Sequence, residues 1–391
     1  MEDNQKTRQD NLSLLVVLFI SIRLVVNASY RMIYPFLRAF ASGIGISVQT
    51  ASLPLTGRSL AGAFAPLLAP FADRYGRKKG MLLGLALFSL GVGLVGIWPS
   101  FPAFSAALIL TNLGNLVFVP SMQAYLGDRV AFQRRGRILA LTELAWSLSF
   151  ILLVPLAGLL VARLGWAAPF WVLAGLGILS FGFLAWKVPG DHSHRSTQTG
   201  ALWHSLRQVF ASPDARTALL FGLSITLANE LVNFVFGVWM SDAFGLQIAA
   251  LGLAAMVIGA AELSGEAATV MLVDRVGKKR AVRVGVIFTS LAALTLPVMG
   301  QTLWGALAGL FLFYLGFEFT LVSFIPLMTE VLPEARATLM ATNLAANSLG
   351  RAIGAQAGFW LYTIGFGANA FVALLVNGLA LLLLSRLKLK E

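Results

Sequence analysis

Asp73-Arg74-Tyr75-Gly76-Arg77-Lys78-Lys79-Gly80 returns 201 positions later as Asp274-Arg275-Val276-Gly277-Lys278-Lys279-Arg280-Ala281. Each copy closes one long apolar stretch and precedes another. The same offset relates Arg135 to Arg336, Leu139-Ala140 to Met340-Ala341, and Ser147-Leu148 to Ser348-Leu349. One register serving two separate places in each half marks an internal duplication. A charged turn set between apolar spans has no use in a soluble core, so the duplication points to a membrane transporter.

Composition agrees. The 391 residues are 58% hydrophobic and only 12% charged, against about 25% charged residues in soluble domains. Twelve apolar runs are long enough to cross a bilayer as helices. They lie at roughly 12–38, 51–72, 81–98, 103–125, 138–162, 167–186, 217–241, 247–273, 282–300, 303–331, 337–363 and 367–385. The fold class expected is therefore an all-α membrane protein, with twelve transmembrane helices in two pseudo-symmetric six-helix halves. Residues 1–187 form the first bundle, 188–213 a linker, and 214–391 the second bundle. The first run is too long for a cleavable signal, is interrupted by Arg23 and Arg31, and lacks a small-residue cleavage site.

A net charge of +12 could suggest nucleic acid, but most of the 29 Lys and Arg residues sit in the tails and in loops after even-numbered runs. That is the positive-inside pattern. It predicts a multi-pass protein of the inner (plasma) membrane with both termini and the linker in the cytoplasm, and no nucleic-acid partner. With zero cysteines there is no disulfide framework. The linker holds all three histidines, and Asp191-His192-Ser193-His194 reads as solvated connector rather than metal site; no metal is expected. Within it, Leu202, Leu206, Val209 and Phe210 set against His204, Arg207 and Gln208 predict a short amphipathic helix on the membrane surface.

Twelve spans, inner termini, a central linker and a repeated charged turn together resemble the major facilitator superfamily, in particular its bacterial drug-efflux-like twelve-helix type. That family's motif runs Gly, three residues, Asp, Arg, any residue, Gly, then two basic residues. Asp73, Arg74, Gly76, Arg77 and Lys78 match it, as do Asp274, Arg275, Gly277, Lys278 and Lys279; Ala69 and Val270 replace the leading Gly. The resemblance implies that Asp73, Arg74, Gly76, Arg77, Asp274, Arg275, Gly277 and Lys278 form a cytoplasmic gate. Two other family signatures are eroded. No basic residue occurs from Phe101 to Tyr125, where Asn112 and Asn115 are the strongest polar groups, and Val154 stands where drug antiporters place a glycine before Pro155.

Charges inside spans cost on the order of 3 kcal/mol each on insertion scales, so each needs a reason. The first half holds Arg23, Arg31, Arg38, Arg58 and one acid, Glu143; the second holds Glu230, Glu262, Glu266, Glu318 and one base, Arg351. None has a like-charged counterpart at the 201 offset, so the scaffold repeats while the polar interior diverges. Arg23, Asn27, Arg31 and Tyr34 form a stripe at helical spacing, as do Thr226, Glu230 and Asn233, and Asn343, Asn347 and Arg351. Glu143 pairs with Arg23 or serves transport. Arg38 and Arg58, near span ends, are expected to snorkel or to gate. Glu262 and Glu266, one turn apart, cannot easily both ionise in a low-dielectric site. These two are the first proton candidates and Glu230 the second.

The reading is a secondary transporter working by alternating access, a monomer that exports a small amphipathic molecule in exchange for protons. It needs no cofactor beyond the proton gradient. Proton-coupled or facilitated uptake of a nutrient, or lipid flipping on the same fold, are the alternatives. Catalysis is not expected: the spans contain no His and the chain no Cys. No Gly-x-x-x-x-Gly-Lys-Ser/Thr loop offers ATP chemistry.

Overall fold

The computed structural model describes residues 2–64, 76–130, 132–190 and 199–387, and every regular element among them is helical. Among the described residues ten helices are long and apolar enough to cross a membrane. The run at 51–72 continues past the described residues. That at 337–363 is a 27-residue helix made too polar for the same criterion by Asn343, Asn347, Arg351 and Gln356. Contacts divide the chain into two compact units. One comprises Met1–Met32 with Leu68–Ser196, the other Ile33–Leu67 with Thr197–Glu391.

The first unit contains α1 (Glu2–Arg31), α4 (Arg77–Ile97), α5 (Phe101–Arg129), α6 (Phe132–Glu143), α7 (Ala145–Leu148), a π turn (Ser149–Leu153), α8 (Val154–Leu164) and α9 (Ala168–Lys187). Helix α4 lies along α5 and α9. Glycine makes the first contact close: a Cβ on Gly84 would fall 2.6 Å from the Gly114 carbonyl oxygen, and one on Gly114 would fall 2.5 Å from that of Gly84. Small residues let backbones approach where lipid supplies no hydrophobic drive between helices. The π turn precedes Pro155, whose ring excludes an ordinary helical bond; the Val154 amide donates to the Ser149 carbonyl instead.

The second unit contains α2 (Ile33–Ile44), α3 (Val48–Gly62), α10 (Thr199–Ala211), α11 (Pro213–Asn233), α12 (Phe236–Phe244), α13 (Ile248–Val276), α14 (Lys278–Met299), α15 (Leu303–Val331), α16 (Arg336–Tyr362) and α17 (Phe366–Arg386). Helix α11 packs on α16 and α17, α13 and α14 pack on α15, and α3 packs on α16. The α11–α16 contact is again cut by glycines: a Cβ on Gly350 would lie 2.4 Å from the Leu223 carbonyl oxygen, and one on Gly354 would lie 2.7 Å from the Glu230 Cβ.

The duplication read from sequence recurs in three dimensions, contact by contact. Gly76 and Gly277 begin α4 and α14 with φ of 100° and 89°, backbone that a Cβ disfavours. Arg77 pairs with Asp128 (3.6 Å) and Lys278 pairs with Glu330. Lys78 donates to the Ala185 carbonyl (2.7 Å), and Lys279 to that of Leu387 (2.6 Å). Ser100 caps α5 and Thr302 caps α15. Every partner recurs at the sequence offset or one residue beyond it. In each unit the basic residues after the glycine therefore brace three helices at one end.

Candidate functional site

Two chain breaks position the site. Helix α1 gives way to α2 at Met32, because Pro35 has no amide proton to offer the Arg31 carbonyl. Helix α11 gives way to α12 at Phe234–Val235, where the Val235 amide turns to the Val232 carbonyl (3.2 Å). The Leu231 carbonyl loses its usual partner there and accepts from Asn369 Nδ2 (2.8 Å), which also donates to Gly358 (2.7 Å). Gly237, just past this break, sits against the start of α2; a Cβ there would fall 2.6 Å from the Tyr34 carbonyl oxygen and from Pro35 Cα. Small size lets α2 and α12 touch backbone to backbone.

Glu230, in the last turn of α11, is 1% exposed. Tyr34 donates its hydroxyl to Glu230 Oε1 (3.0 Å) and accepts from Arg58 Nη2 (2.9 Å). Asn233 Nδ2 donates to Glu230 Oε2 (3.2 Å), and Tyr314 donates to Asn233 Oδ1 (2.8 Å). Arg58 and Arg351 both act on the carboxyl as positive charges. Four helices of the second unit thus converge on one carboxyl through hydrogen bonds. Charge-assisted bonds of this kind are roughly twice as strong as neutral ones, so the charge on Glu230 sets how firmly α2 and α3 hold α11.

Arg58 corrects the snorkelling expectation: its side chain is enclosed, at 1% exposure, rather than reaching for an interface. Elsewhere on these helices Arg38 Nη1 bonds Asp242 Oδ1 (2.5 Å), Tyr362 donates to Asp242 Oδ2 (2.9 Å), and Gln356 Nε2 donates to Thr56 (2.6 Å). Arg38, Asp242 and Gln356 are exposed, and Thr56 and Tyr362 half-buried.

Several predicted residues lie elsewhere in the second unit. Glu262 and Glu318 are buried and Glu266 is half-buried. Helix α13 meets α15 at Gly265, where a Cβ would fall 3.0 Å from the Glu318 Cβ, so the three acids share one helix crossing. Asn343 and Asn347 are buried together against Gly222, where a Cβ would fall 2.4 and 2.7 Å from their side-chain oxygens, and Asn229 is buried two turns further along α11. The side-chain oxygens of all three find no hydrogen-bond partner among the described residues.

In the first unit Arg23 grips Glu143 through two bonds, Nη1–Oε1 (2.6 Å) and Nη2–Oε2 (2.9 Å). Nη1 also donates to the Thr142 carbonyl (2.9 Å), and Gln123 donates to Glu143 Oε1 (3.0 Å). Arg31 is buried with its guanidinium 4.3 Å from the Trp146 ring centre and 3.6 Å from that of Phe150. The π turn carries Phe150 into that stack. Asn27 is buried, and its Nδ2 has no partner among the described residues; nor does Asn115 Oδ1. Asn112 is half-buried on the same helix as Asn115. Of the gate residues, Asp73 and Arg74 lie outside the described residues, as do Asp191, His192 and His194 of the linker. Asp274 and Arg275 end α13 one turn from the Lys278–Glu330 pair.

Sequence reasoning placed Glu230, Asn233 and Arg351 in the site and read Tyr34 as part of the first-span stripe and Arg58 as a span-end charge, without bringing them or Tyr314 to Glu230. Tyr34, Arg58 and Tyr314 had a usable signal, since each is a polar-tipped side chain set within an apolar run. Asp242 had none, because it falls at the end of its span.

The comparisons with known proteins agree with this architecture. A family profile described as the Major Facilitator Superfamily matches residues 19–355 and 218–390. The chain is 26% identical over 366 residues to the uncharacterized MFS-type transporter YceJ of Bacillus subtilis, covering 92% of each protein. It is 24% identical over 313 residues to multidrug resistance protein 2 of Bacillus subtilis, covering 77% of this chain and 76% of that one. Among solved structures, a D-xylose-proton symporter superposes with a TM-score of 0.78 at 16% identity, over 95% of this chain and 97% of the other. The chain belongs to the Major Facilitator Superfamily and is a multi-pass membrane transporter.

Proposed function

We propose that this transporter resides in the plasma membrane with both termini in the cytoplasm, and exports a small amphipathic molecule in exchange for protons, with Glu230 as the proton carrier. The observation that carries the reading is the enclosed Glu230–Tyr34–Arg58 chain. Ionised, Glu230 draws the Tyr34 hydroxyl and the arginine behind it, holding α2 and α3 on α11. A proton on Glu230 removes the charge assistance and loosens that hold. Protonation and opening are thereby linked through one carboxyl, which is the requirement for coupled alternating access.

The Arg38–Asp242–Tyr362 and Thr56–Gln356 contacts are the outer latch in this scheme, and the turn at Asp274 belongs to the inner side. The unpartnered oxygens of Asn229, Asn343 and Asn347 offer acceptors to a substrate bearing N–H or O–H donors, such as an amphipathic amine. Likeness to a protein named for multidrug resistance supports the export direction. The proposed working form is a monomer.

The test is transport by purified protein in liposomes under an imposed pH gradient, across a panel of cationic and zwitterionic amphiphiles. The wild-type chain should move at least one of them against its gradient. Glu230→Gln should equilibrate that compound without concentrating it. Concentration by the Glu230→Gln protein at the wild-type level would remove Glu230 from the coupling.

A further inference from the structure

The linker helix α10 covers one end of α11 and α16 without filling the space beneath it. Val209 is fully buried in the apolar cluster of Leu219, Leu339 and Ala346, and anchors the helix there. Trp203, Leu206 and Phe210 instead line a cavity of about 400 Å³ whose other walls include Leu219, Leu223 and Leu349. Among the described residues its polar lining groups are the Trp203 indole N–H and the Thr342 hydroxyl, which is spent on the Thr338 carbonyl of its own helix (2.7 Å). The remaining described walls are aliphatic or aromatic, so the chemistry that fits is a saturated chain.

The surroundings name its source. Trp203 is 68% exposed and Phe210 57% exposed, apolar surface that a multi-pass protein turns to lipid. Arg207 stands one turn from each along α10, on the shoulder of the apolar face, and is itself exposed. Residues 199–211 contain no acid. A tail in the cavity would therefore leave its headgroup beside a cation, at the depth where a Trp indole is also at home.

We propose that the cavity under α10 holds one acyl chain of an anionic phospholipid, with Arg207 paired to the phosphate. The site lies against α11 and α16, and it stands independently of the proton-exchange reading. Its occupant would fasten the linker helix to both.

Native mass spectrometry of delipidated full-length protein, titrated with palmitoyl-oleoyl phosphatidylglycerol or the matching phosphatidylcholine, tests it. One phosphatidylglycerol should be retained per chain, in preference to phosphatidylcholine. Arg207→Gln should weaken phosphatidylglycerol by about fivefold, the order expected for one basic side chain against an anionic surface, and leave phosphatidylcholine unchanged. Ala345→Trp, which fills the cavity, should weaken both. Because Arg207 is exposed, its replacement leaves the fold intact and keeps the test open even if the tryptophan variant is unstable. Equal retention of both lipids, no saturable adduct, or unchanged binding by Arg207→Gln would each overturn the proposal. So would displacement of the adduct by a transported amphiphile, which would make the cavity a substrate site.

Discussion

Replacing Tyr34 by Phe removes one oxygen and leaves the ring. That oxygen donates to Glu230 and accepts from Arg58 in a buried setting. Only the Tyr34–Glu230 bond crosses to α11, while the Arg58 bond joins α3 to α2. A hydrogen bond to a charged group contributes about 1.5–3 kcal/mol, so the hold on α11 weakens by roughly 2 kcal/mol. At 1.4 kcal/mol per tenfold, the separated state should gain about thirtyfold in population. The chain has no cysteine, so a single introduced thiol reports without background. Ser52 on α3 is fully buried and its hydroxyl bonds only within its own turn, to Gln49 (2.6 Å), which makes Ser52→Cys a mild reporter. Its labelling by a maleimide should accelerate by one to two orders of magnitude when Tyr34→Phe is added, about the population change derived above. Glu230→Gln should act in the same direction. A labelling rate unchanged within about twofold would mean that the chain of hydrogen bonds does not hold these helices together, and the reasoning would fail.

Other consequences are structural. Gly354→Ala puts a Cβ 2.7 Å from the Glu230 Cβ and 3.0 Å from the Leu227 carbonyl oxygen. Overpacking of this kind costs about 1–3 kcal/mol, and the thermal unfolding midpoint in detergent should fall. Gly277→Ala meets no atom within 4 Å, yet φ is 89°; the cost is backbone strain alone, about 1–3 kcal/mol, and it should appear as a lower midpoint without altered substrate affinity. Asn369→Leu keeps the volume but strips two donors from the Leu231 and Gly358 carbonyls. It should destabilise by about 2 kcal/mol at a net value near 1 kcal/mol per bond, read as a lower urea or heat midpoint.

The scaffold was legible because it repeats. Gly76 and Gly277, with the basic residues behind them, carry their partners at one offset, so a single register revealed both turns. The stripes on the first, seventh and eleventh spans were legible through helical spacing. The convergence of Tyr34, Arg58 and Tyr314 on Glu230 was not. Spacing fixes which face of its own helix a residue occupies, but not which helix comes to meet it. The breaks at Met32 and Phe234 belong to the same class: Pro35 hinted at the first, while the second depends on Asn369, more than 130 residues away in the chain. Arg58 was misplaced because hydropathy assigns a charge near a span end to the interface, whereas packing against α16 encloses this one.

Proton release on substrate binding tests the central claim most directly. Purified protein in weakly buffered detergent solution would be mixed with a transported amphiphile while a pH indicator records the change. If Glu230 exchanges its proton for substrate, wild-type protein releases protons on binding, and Glu230→Gln binds the same compound and releases none. Equal release by the two proteins would place the exchanged proton on another group and contradict the account.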